Sequence, residues 1–144
     1  MDIWKKAAEY NTHQKIASFS KIIDSMLPTV IPKGWGCEII FASNNEYCGK
    51  ILRFNAGGKT SMHFHAKKHE TWYIMSGKFV VRCIDPKNAM KHDLTCVPNM
   101  TLVIPQNTIH QIEAIEPGDV YEVSTKDESI DSFRVEPGSS QLTK

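Results

Sequence analysis

Several features that mark whole classes of protein are missing from this 144-residue sequence. Neither charge sign forms a long block, and 17 basic against 16 acidic side chains leave a net charge of +1. This balance argues against a nucleic-acid or anionic-membrane partner, which would need a basic patch. The apolar runs are too short to span a bilayer, and the first residues lack the basic-then-apolar order of a signal peptide. We therefore expect a cytoplasmic protein that binds neither nucleic acid nor membrane.

Cysteine is also scarce, and no C-x-x-C pair occurs. The four cysteines are scattered along the chain at Cys37, Cys48, Cys83 and Cys96. A chain of this length can bury about two-thirds of its unfolded surface without cross-links. Such cysteines are expected to be small buried hydrophobes kept reduced, rather than disulfides or thiolate ligands. Without internal repeats or low-complexity segments, the sequence indicates one domain.

The two ends of the chain differ from its middle. Apolar side chains from Trp4 to Leu27 recur at spacings of three and four, the period of an amphipathic helix, and Pro28 would end it. We predict an N-terminal helical segment over residues 1–33 that packs on the outside of the following domain, or that contributes to a homodimer contact. The small polar residues 137–144 are predicted to form a flexible tail.

Residues 34–136 contain about ten short strand-like segments separated by turn residues, with no helical pattern between them. This organisation favours an all-β antiparallel barrel or sandwich over alternating βα units, and a jelly-roll barrel fits it best. Ser76 and Gly77 separate two of the segments and predict a tight hairpin turn between them.

Metal-competent side chains are concentrated between residues 57 and 77. His63 and His65 are one residue apart, so in a β-strand both point to the same face. Glu70 can join them if the chain turns back into a neighbouring strand, which would lie about 4.8 Å away. His110 opens another alternating segment after a proline turn and is the candidate fourth ligand. Imidazoles with a carboxylate suit divalent Zn, Fe, Mn, Ni or Co.

These residues carry a resemblance to the cupin superfamily. The first cupin motif, G-x5-H-x-H-x4-E-x6-G, is matched at every fixed position by Gly57, His63, His65, Glu70 and Gly77. The resemblance implies a small cupin barrel over residues 34–136, with His63, His65, Glu70 and His110 as metal ligands. Cupins commonly pair, so the resemblance also implies a homodimer.

The second cupin motif, G-x5-P-x-G-x2-H-x3-N, is matched only in part. Pro105 and His110 agree with it, whereas Asn99 and Asn107 replace its two glycines and Ala114 replaces its final Asn. Asparagine tolerates the left-handed backbone conformation better than most residues, so the change at Asn107 is expected to be mild.

Within that superfamily, the chain most resembles the C-terminal cupin barrel of type II mannose-6-phosphate isomerases. The agreement lies in residues 33–36, 50–57, 65–72 and 131–136. His63 replaces a frequent Gln of that group, and Thr71 replaces a His. The resemblance implies a metal-dependent aldose-ketose isomerisation of a sugar or sugar phosphate, with Glu70 and Lys50 as catalytic residues.

Substrate-binding candidates surround the histidine strand. Alternation along residues 47–54 directs either Lys50 or Arg53 inward, and we favour Lys50 because Leu52 and Phe54 would then share its face. The full set of candidates is Lys50, Arg53, Lys59 and Trp72. Lys67 and Lys68 fall on a turn and are interpreted as a solvated loop or as charges that attract an anion at the barrel mouth. His69 is expected to face away from the metal.

Two other functions remain compatible with these residues. Three histidines and one glutamate would leave two octahedral positions for substrate and O2, as an Fe(II)-dependent oxygenase acting on a small polar substrate requires. A non-catalytic cupin that binds a sugar or another small molecule is the third possibility.

Overall fold

The computed structural model describes residues 27–142, which form strands, one 3-10 turn at Ser129–Asp131 and one short helix, α1, at Ser139–Leu142. The strands are β1 Thr29–Lys33, β2 Gly36–Ser43, β3 Tyr47–Phe54, β4 Met62–Phe64, β5 Glu70–Ile74, β6 Lys78–Ile84, β7 Lys91–Cys96, β8 Thr101–Ile104, β9 Ile109–Glu116, β10 Gly118–Thr125 and β11 Phe133–Glu136. No described helix has the length and apolar character needed to cross a membrane.

The strands form two antiparallel sheets, which confirms the predicted all-β barrel. The first sheet has the order β1-β2-β3-β10-β5-β8, and the second has the order β11-β4-β9-β6-β7. Six of the nine neighbouring strand pairs join strands that are not consecutive in the chain, so the fold depends largely on long-range pairing. Apolar side chains on the inner faces pack into one core between the sheets. This core contains Trp35, Leu52, Phe54, Trp72, Ile74, Phe79, Val81, Cys96, Ile104, Ile112, Ala114 and Val120.

The predicted hairpin at Ser76 and Gly77 is wrong. Strand β5 pairs with β10 and β8, whereas β6 pairs with β9 and β7 in the other sheet. The turn therefore carries the chain from one sheet to the other. Gly77 has a φ of +84°, and a Cβ there would lie 2.6 Å from the carbonyl oxygen of Pro117. A glycine is needed because the crossing turn packs directly against the start of β10.

The two asparagines of the partial second motif have left-handed backbones, with φ of 75° at Asn99 and 62° at Asn107. The expectation for Asn107 is therefore confirmed. Asparagine supplies at both turns the conformation that glycine supplies in the motif.

The barrel begins earlier than residue 34. Residues 1–26, which carry most of the predicted helical segment, lie outside the described residues. Thr29–Lys33 form the edge strand β1, antiparallel to β2. Pro32 lacks a backbone N–H and is tolerated because β1 lies at the edge of its sheet. A proline in a five-residue segment concealed this strand from the sequence pattern.

The described part of the predicted flexible tail is attached to the barrel. Ser139 donates its N–H to the carbonyl of Lys59 at 2.9 Å, and its hydroxyl accepts the N–H of Lys59 at 3.0 Å. The hydroxyl of Ser140 accepts the N–H of Gly34 at 3.0 Å. Small polar residues therefore bind this segment through its backbone and hydroxyl groups. The flexibility of the tail stays a prediction, and these contacts show where its described part is held.

Candidate metal centre and its cavity

Three histidines from two paired strands converge at one end of the barrel interior. His63 on β4 lies opposite His110 on β9 in the sheet register, and His65 follows directly after β4. Each offers one ligand atom, and these three atoms all lie within 4.8 Å of one another. The structure thus brings together three of the four predicted ligands, and His63 and His65 face the same way as alternation requires.

Backbone carbonyls fix which nitrogen of each imidazole faces the centre. The Nδ1 atoms of His63, His65 and His110 lie 2.8, 2.7 and 2.7 Å from the carbonyl oxygens of Ser61, Asp131 and Thr108. A carbonyl can only accept, so each Nδ1 must carry the proton and donate it. Each Nε2 is left with its lone pair. This is the tautomer in which a histidine binds a metal, with a carbonyl orienting its other nitrogen.

Glu70 lies beside two of the histidines. Its Oε2 atom is 3.2 Å from His110 Nε2, and its Oε1 atom is 3.7 Å from His65 Nε2. Glu70 is 2% exposed and enters from β5 in the opposite sheet. It is not part of the group of three whose ligand atoms all lie within 4.8 Å. Its Oε1 atom instead contacts the ammonium of Lys68 at 2.6 Å.

The chemistry of this centre fits a divalent transition metal. The Nε2 atoms of His65 and His110 and the Oε2 atom of Glu70 are buried and have no hydrogen-bond partner among the described residues. Buried polar atoms normally have a partner, so three unpartnered atoms on neighbouring side chains indicate a ligand between them. A metal cation would accept all three lone pairs. His63, His65 and His110 would hold it, with Glu70 beside them, and the donor set suits Zn, Fe, Mn, Ni or Co.

His63 and His65 are held in the neutral form that binds a cation. Burial, together with the ring of His110, lowers the pKa of His63 to about 3. Burial and the nearby ammonium of Lys68 also lower the pKa of His65. Both rings are therefore neutral near pH 7, and only the neutral imidazole binds metal.

A second group of charged side chains lies next to the centre, and we name it the lysine-carboxylate cluster: Glu38, Lys50, Lys68, Glu122 and Asp127. Lys68 Nζ lies 3.0 Å from Glu122 Oε1 and 3.2 Å from Asp127 Oδ1, in addition to its contact with Glu70. Lys50 Nζ lies 2.5 Å from Asp127 Oδ2 and 3.5 Å from Glu38 Oε2. Strand β10 joins the two halves, because Glu122 lies opposite Lys50 on β3.

The ionisation of this cluster follows from its burial and its pairing. Burial disfavours the charged ammonium of Lys68, but Glu122, Glu70 and Asp127 outweigh it and raise the pKa of Lys68. Burial would raise the pKa of Glu70, but His110 and Lys68 hold it well below its usual value. For Glu122, burial and the charge of Glu70 prevail over both lysines and raise its pKa to about 7. Glu122 is thus the carboxyl group that can take up and release a proton near neutral pH.

Two of the four predicted substrate-binding residues, Lys50 and Trp72, line the cavity, and the other two do not. Lys50 faces inward and is 6% exposed, as favoured from the sequence, but its ammonium is already paired. Arg53 faces outward, where it makes a two-pronged contact with Asp119 at 2.9 and 2.8 Å. Lys59 lies outside the cavity lining in the described chain and faces Glu113 across an isolated bridge. Alternation along β3 places Arg53 away from the interior, and neither residue lines the cavity. The described structure therefore gives no support for a substrate-binding role of Arg53 or Lys59, which stays a prediction.

Trp72 and His69 lie on either side of the glutamate strand. Trp72 is 2% exposed and lines the cavity, with its ring centroid 5.3 Å from that of His110 at an interplanar angle of 71°. The backbone N–H of His69 donates to the hydroxyl of Thr125 at 3.0 Å, and His69 is not among the histidines that converge.

Sequence reasoning missed five residues of this site, namely Lys68, Asp131 and the carboxyl groups of Glu38, Glu122 and Asp127. Lys68 is 5% exposed, so its interpretation as a solvated loop or as a charge at the mouth is wrong. Asp131 directs the turn that carries it, because its carboxylate accepts the N–H groups of Ala66, Lys67 and Lys68 at 2.8 to 3.1 Å. These donors outweigh burial and hold the pKa of Asp131 below its usual value. Two of the partners of Lys68, Glu122 and Asp127, are 54 and 59 residues away in sequence, and no local pattern reveals them.

The centre and the lysine-carboxylate cluster open into one cavity of about 450 Å³. That volume suits a small molecule. Its wall combines hydroxyl groups with apolar surface, including Ser61, Ser132, Trp35 and Leu52, while Arg134 and α1 contribute to its rim.

Comparisons with known proteins agree on the fold. Among solved structures, the capsular polysaccharide assembling protein CapF from Staphylococcus aureus gives a TM-score of 0.66 at 18% identity, over 78% of this chain and 33% of that chain. Oxalate decarboxylase from Bacillus subtilis gives 0.65 at 15% identity, over 78% and 33%. KdgF from a Halomonas species gives 0.54 at 22% identity, over 65% and 81%. The matched part of the chain thus equals about a third of the length of the first two.

Sequence comparison supplies the family. A search among curated proteins finds no match to this chain. The sequence profile described as Cupin matches residues 48–132, which is more than half of the chain and contains both histidine motifs. The protein is therefore a member of the cupin family, with three histidines in position to bind a metal.

Proposed function

We propose that this cupin is a metal-dependent enzyme that interconverts an aldose and a ketose, or a closely related hydroxy-carbonyl pair. The observation that carries the proposal is the shared cavity, which is lined by His63 and His65 of the three convergent histidines and by Glu122, a buried carboxyl group with a pKa of about 7. Aldose-ketose isomerisation needs this combination, because one group must polarise the carbonyl and another must move a proton.

The reaction divides between the metal and the protein. When bound by His63, His65 and His110, the metal supplies a Lewis acid that polarises the substrate carbonyl and its neighbouring hydroxyl group. The three carbonyl-bound Nδ1 atoms hold the rings in one orientation, so the imidazoles need not reorganise when substrate enters.

Glu122 would take the proton from the carbon next to the carbonyl and return it to the carbonyl carbon. The proton of the neighbouring hydroxyl group would move to the former carbonyl oxygen, so that the carbonyl and hydroxyl groups exchange places. A pKa of about 7 suits this role, because the group is then both a competent base and a competent acid near neutral pH. Lys68, 3.0 Å from Glu122, would stabilise the carboxylate before it accepts the proton. Glu70 is less suited to this task, because Lys68 and His110 keep it ionised.

The likeness to type II mannose-6-phosphate isomerases along the barrel supports sugar chemistry, and the name of CapF refers to polysaccharide assembly. The predicted catalytic role of Lys50 requires revision, since its ammonium is engaged by Asp127 and Glu38. We propose that Lys50 helps to shape the charge of the cavity rather than to transfer protons.

The test is turnover and proton exchange with protein reconstituted separately with Zn, Fe, Mn, Ni and Co. A panel of aldoses, ketoses and their phosphates is incubated in D2O, and deuterium incorporation next to the carbonyl is followed by NMR. We expect exchange with at least one metal and a loss of about 100-fold or more in Glu122→Gln. Glu113→Gln, which alters a carboxylate on the outer side of β9, is the matched control and should retain activity. No exchange with any metal or sugar would refute the proposal and favour a non-catalytic binding cupin.

An Fe(II)-dependent oxygenase is the second candidate, and one observation favours it. Lys68 contacts Glu70 at 2.6 Å, so the three histidines are the side chains free to bind the metal. Three ligands leave more coordination positions for substrate and O2 than four would. Oxygen consumption that requires both added iron and a small polar substrate would support this function over isomerisation.

A further inference from the structure

The lysines inside the cavity are already paired with carboxylates. Lys50 and Lys68 are 6% and 5% exposed, and every ion-pair partner that the structure shows for them is itself inside the cavity or at its wall. Four carboxyl groups surround these two ammonium groups: Glu38, Glu70, Glu122 and Asp127. Lys33, which also lines the cavity, contacts Glu38 Oε1 at 3.3 Å. With Glu122 protonated, the remaining three carboxylates therefore face three lysines, and each ammonium group has a counter-charge.

A buried lysine that is paired in this way cannot serve a phosphate as a free lysine would. Lys50 is held by Asp127 at 2.5 Å and by Glu38 at 3.5 Å. A phosphate dianion that approached Lys50 would displace one of these carboxylates or lie beside it, and like charges in a water-poor space repel strongly. Neutral hydroxyl groups meet no such repulsion, since carboxylates accept and ammonium groups donate hydrogen bonds to them.

We propose that Asp127 and Glu38 are specificity-determining residues that neutralise Lys50, so that the cavity takes an uncharged polyhydroxylated ligand, such as a free sugar, in preference to its phosphorylated form. This inference rests on the proposed function for the site but concerns only the class of ligand. The carboxylates and ammonium groups of the cavity can accept hydrogen bonds from, and donate them to, the hydroxyl groups of a sugar. The ring of Trp72 supplies an apolar wall against which a sugar can pack.

A cation at the rim of the cavity could also bind a phosphate, and the test must distinguish that binding from binding at Lys50. Arg134, which is exposed and lines the cavity mouth, has no ion pair within residues 27–142. A phosphate held at Arg134 would remain outside the lysine-carboxylate cluster, and its affinity would not depend on Asp127.

The experiment compares the dissociation constants of mannose and mannose 6-phosphate for the metal-reconstituted protein by calorimetry. Wild type is expected to bind the free sugar at least as tightly as the phosphate. In Asp127→Asn, which frees Lys50 from its nearest carboxylate, the ratio of the two constants should shift by roughly tenfold toward the phosphate. Asp119→Asn makes the same change in an ion pair with Arg53 on the outer face and should leave the ratio unchanged.

Glu38→Gln is the second variant, in case Asp127→Asn does not fold. It removes the more distant partner of Lys50, at 3.5 Å, and should shift the ratio in the same direction by a smaller factor, about threefold. Thermal unfolding of each variant establishes that the folded protein is being titrated.

Three outcomes overturn the inference. They are tighter binding of the phosphate by wild type, an unchanged ratio in the folded Asp127→Asn and Glu38→Gln variants, and binding of neither sugar. A phosphate preference that disappears in Arg134→Gln would assign the selectivity to the rim instead. These results are separable from the proposed function: exchange chemistry that prefers phosphates refutes the inference alone, whereas tight binding of free sugar without exchange refutes the proposed function alone.

Discussion

The metal centre and the lysine-carboxylate cluster occupy one cavity but are built in opposite ways. At the centre, each imidazole is oriented by a main-chain carbonyl, and two of those carbonyls lie two residues before their own histidine. In the cluster, the ammonium groups of Lys68 and Lys50 are held by carboxylate side chains, including those of Glu122 on β10 and Asp127 in the loop after it. We therefore expect the first arrangement to tolerate side-chain changes around it better than the second, which depends on every charge being present.

The largest effect should come from removing a histidine of the centre. His110→Ala leaves two imidazoles, and we expect loss of stoichiometric metal, because the binding affinity should fall by more than the 10-fold to 100-fold typical of changes in supporting residues. Elemental analysis of the purified variant measures this. His69→Ala is the control, because His69 lies outside the group of convergent histidines. Full metal content in His110→Ala would show that His110 is not needed to bind the metal and that the centre lies elsewhere.

Breaking the cluster should instead affect folding. Lys68→Met leaves Glu70, Glu122 and Asp127 without their shared ammonium, and removal of one partner of a buried ion pair typically costs about 3 to 5 kcal/mol of unfolding free energy. Urea unfolding of the metal-free protein provides the measurement. Lys67→Met changes the neighbouring exposed lysine and should alter stability by less than about 0.5 kcal/mol. Equal effects in the two variants would mean that Lys68 is not buried among carboxylates.

The pH dependence of stability sharpens the comparison further. The pKa of Glu122 is raised from 4.5 to about 7, so between these values the folded protein binds more protons than the unfolded chain. The stability that this group contributes is fully present below pH 4.5 and is lost as the pH rises through about 7. The difference in unfolding free energy between wild type and Glu122→Gln should therefore change by at most about 3 kcal/mol across that interval. A difference that is constant with pH would show that Glu122 titrates normally.

Asp131 links the two regions and should show the smallest effect. Asp131→Asn keeps the main-chain carbonyl that orients His65 but weakens the side-chain acceptor for the turn that carries Lys68. We expect a loss of about 1 to 3 kcal/mol in stability with stoichiometric metal retained. Parallel measurements of urea unfolding and metal content test this expectation. Loss of metal without loss of stability would show that the side chain of Asp131 supports the metal centre rather than the turn.

The centre could be predicted from sequence because part of its geometry is local and the rest follows the spacing of the cupin motifs. His63 and His65 share a face through strand alternation, and the motif spacing identified Glu70 and His110. The surroundings could not be predicted in the same way. Lys67 and Lys68 are adjacent and chemically identical, yet one is exposed and the other is buried. The difference depends on Asp131 and on the carboxylates of β10 and the loop that follows it, and these contacts exist only after the sheets have formed.

The fold shows the same limit. Alternation located most strands, but it did not indicate which sheet a strand joins, so the crossing at Gly77 was read as a hairpin. The edge strand β1 carries Pro32, a residue that normally argues against a strand, and only its position at the edge makes it acceptable.

The double use of Asp131 has a consequence for any attempt to redesign this protein. Its carbonyl oxygen supports one histidine, while its carboxylate supports the turn that ends in Lys68. The two halves of the cavity are therefore mechanically joined at a single residue, and a loop graft that moves it would disturb both at once. Engineering that alters ligand choice while preserving metal loading would have to change side chains from β2, β3 and β10 and leave the segment from residue 129 to residue 132 in place.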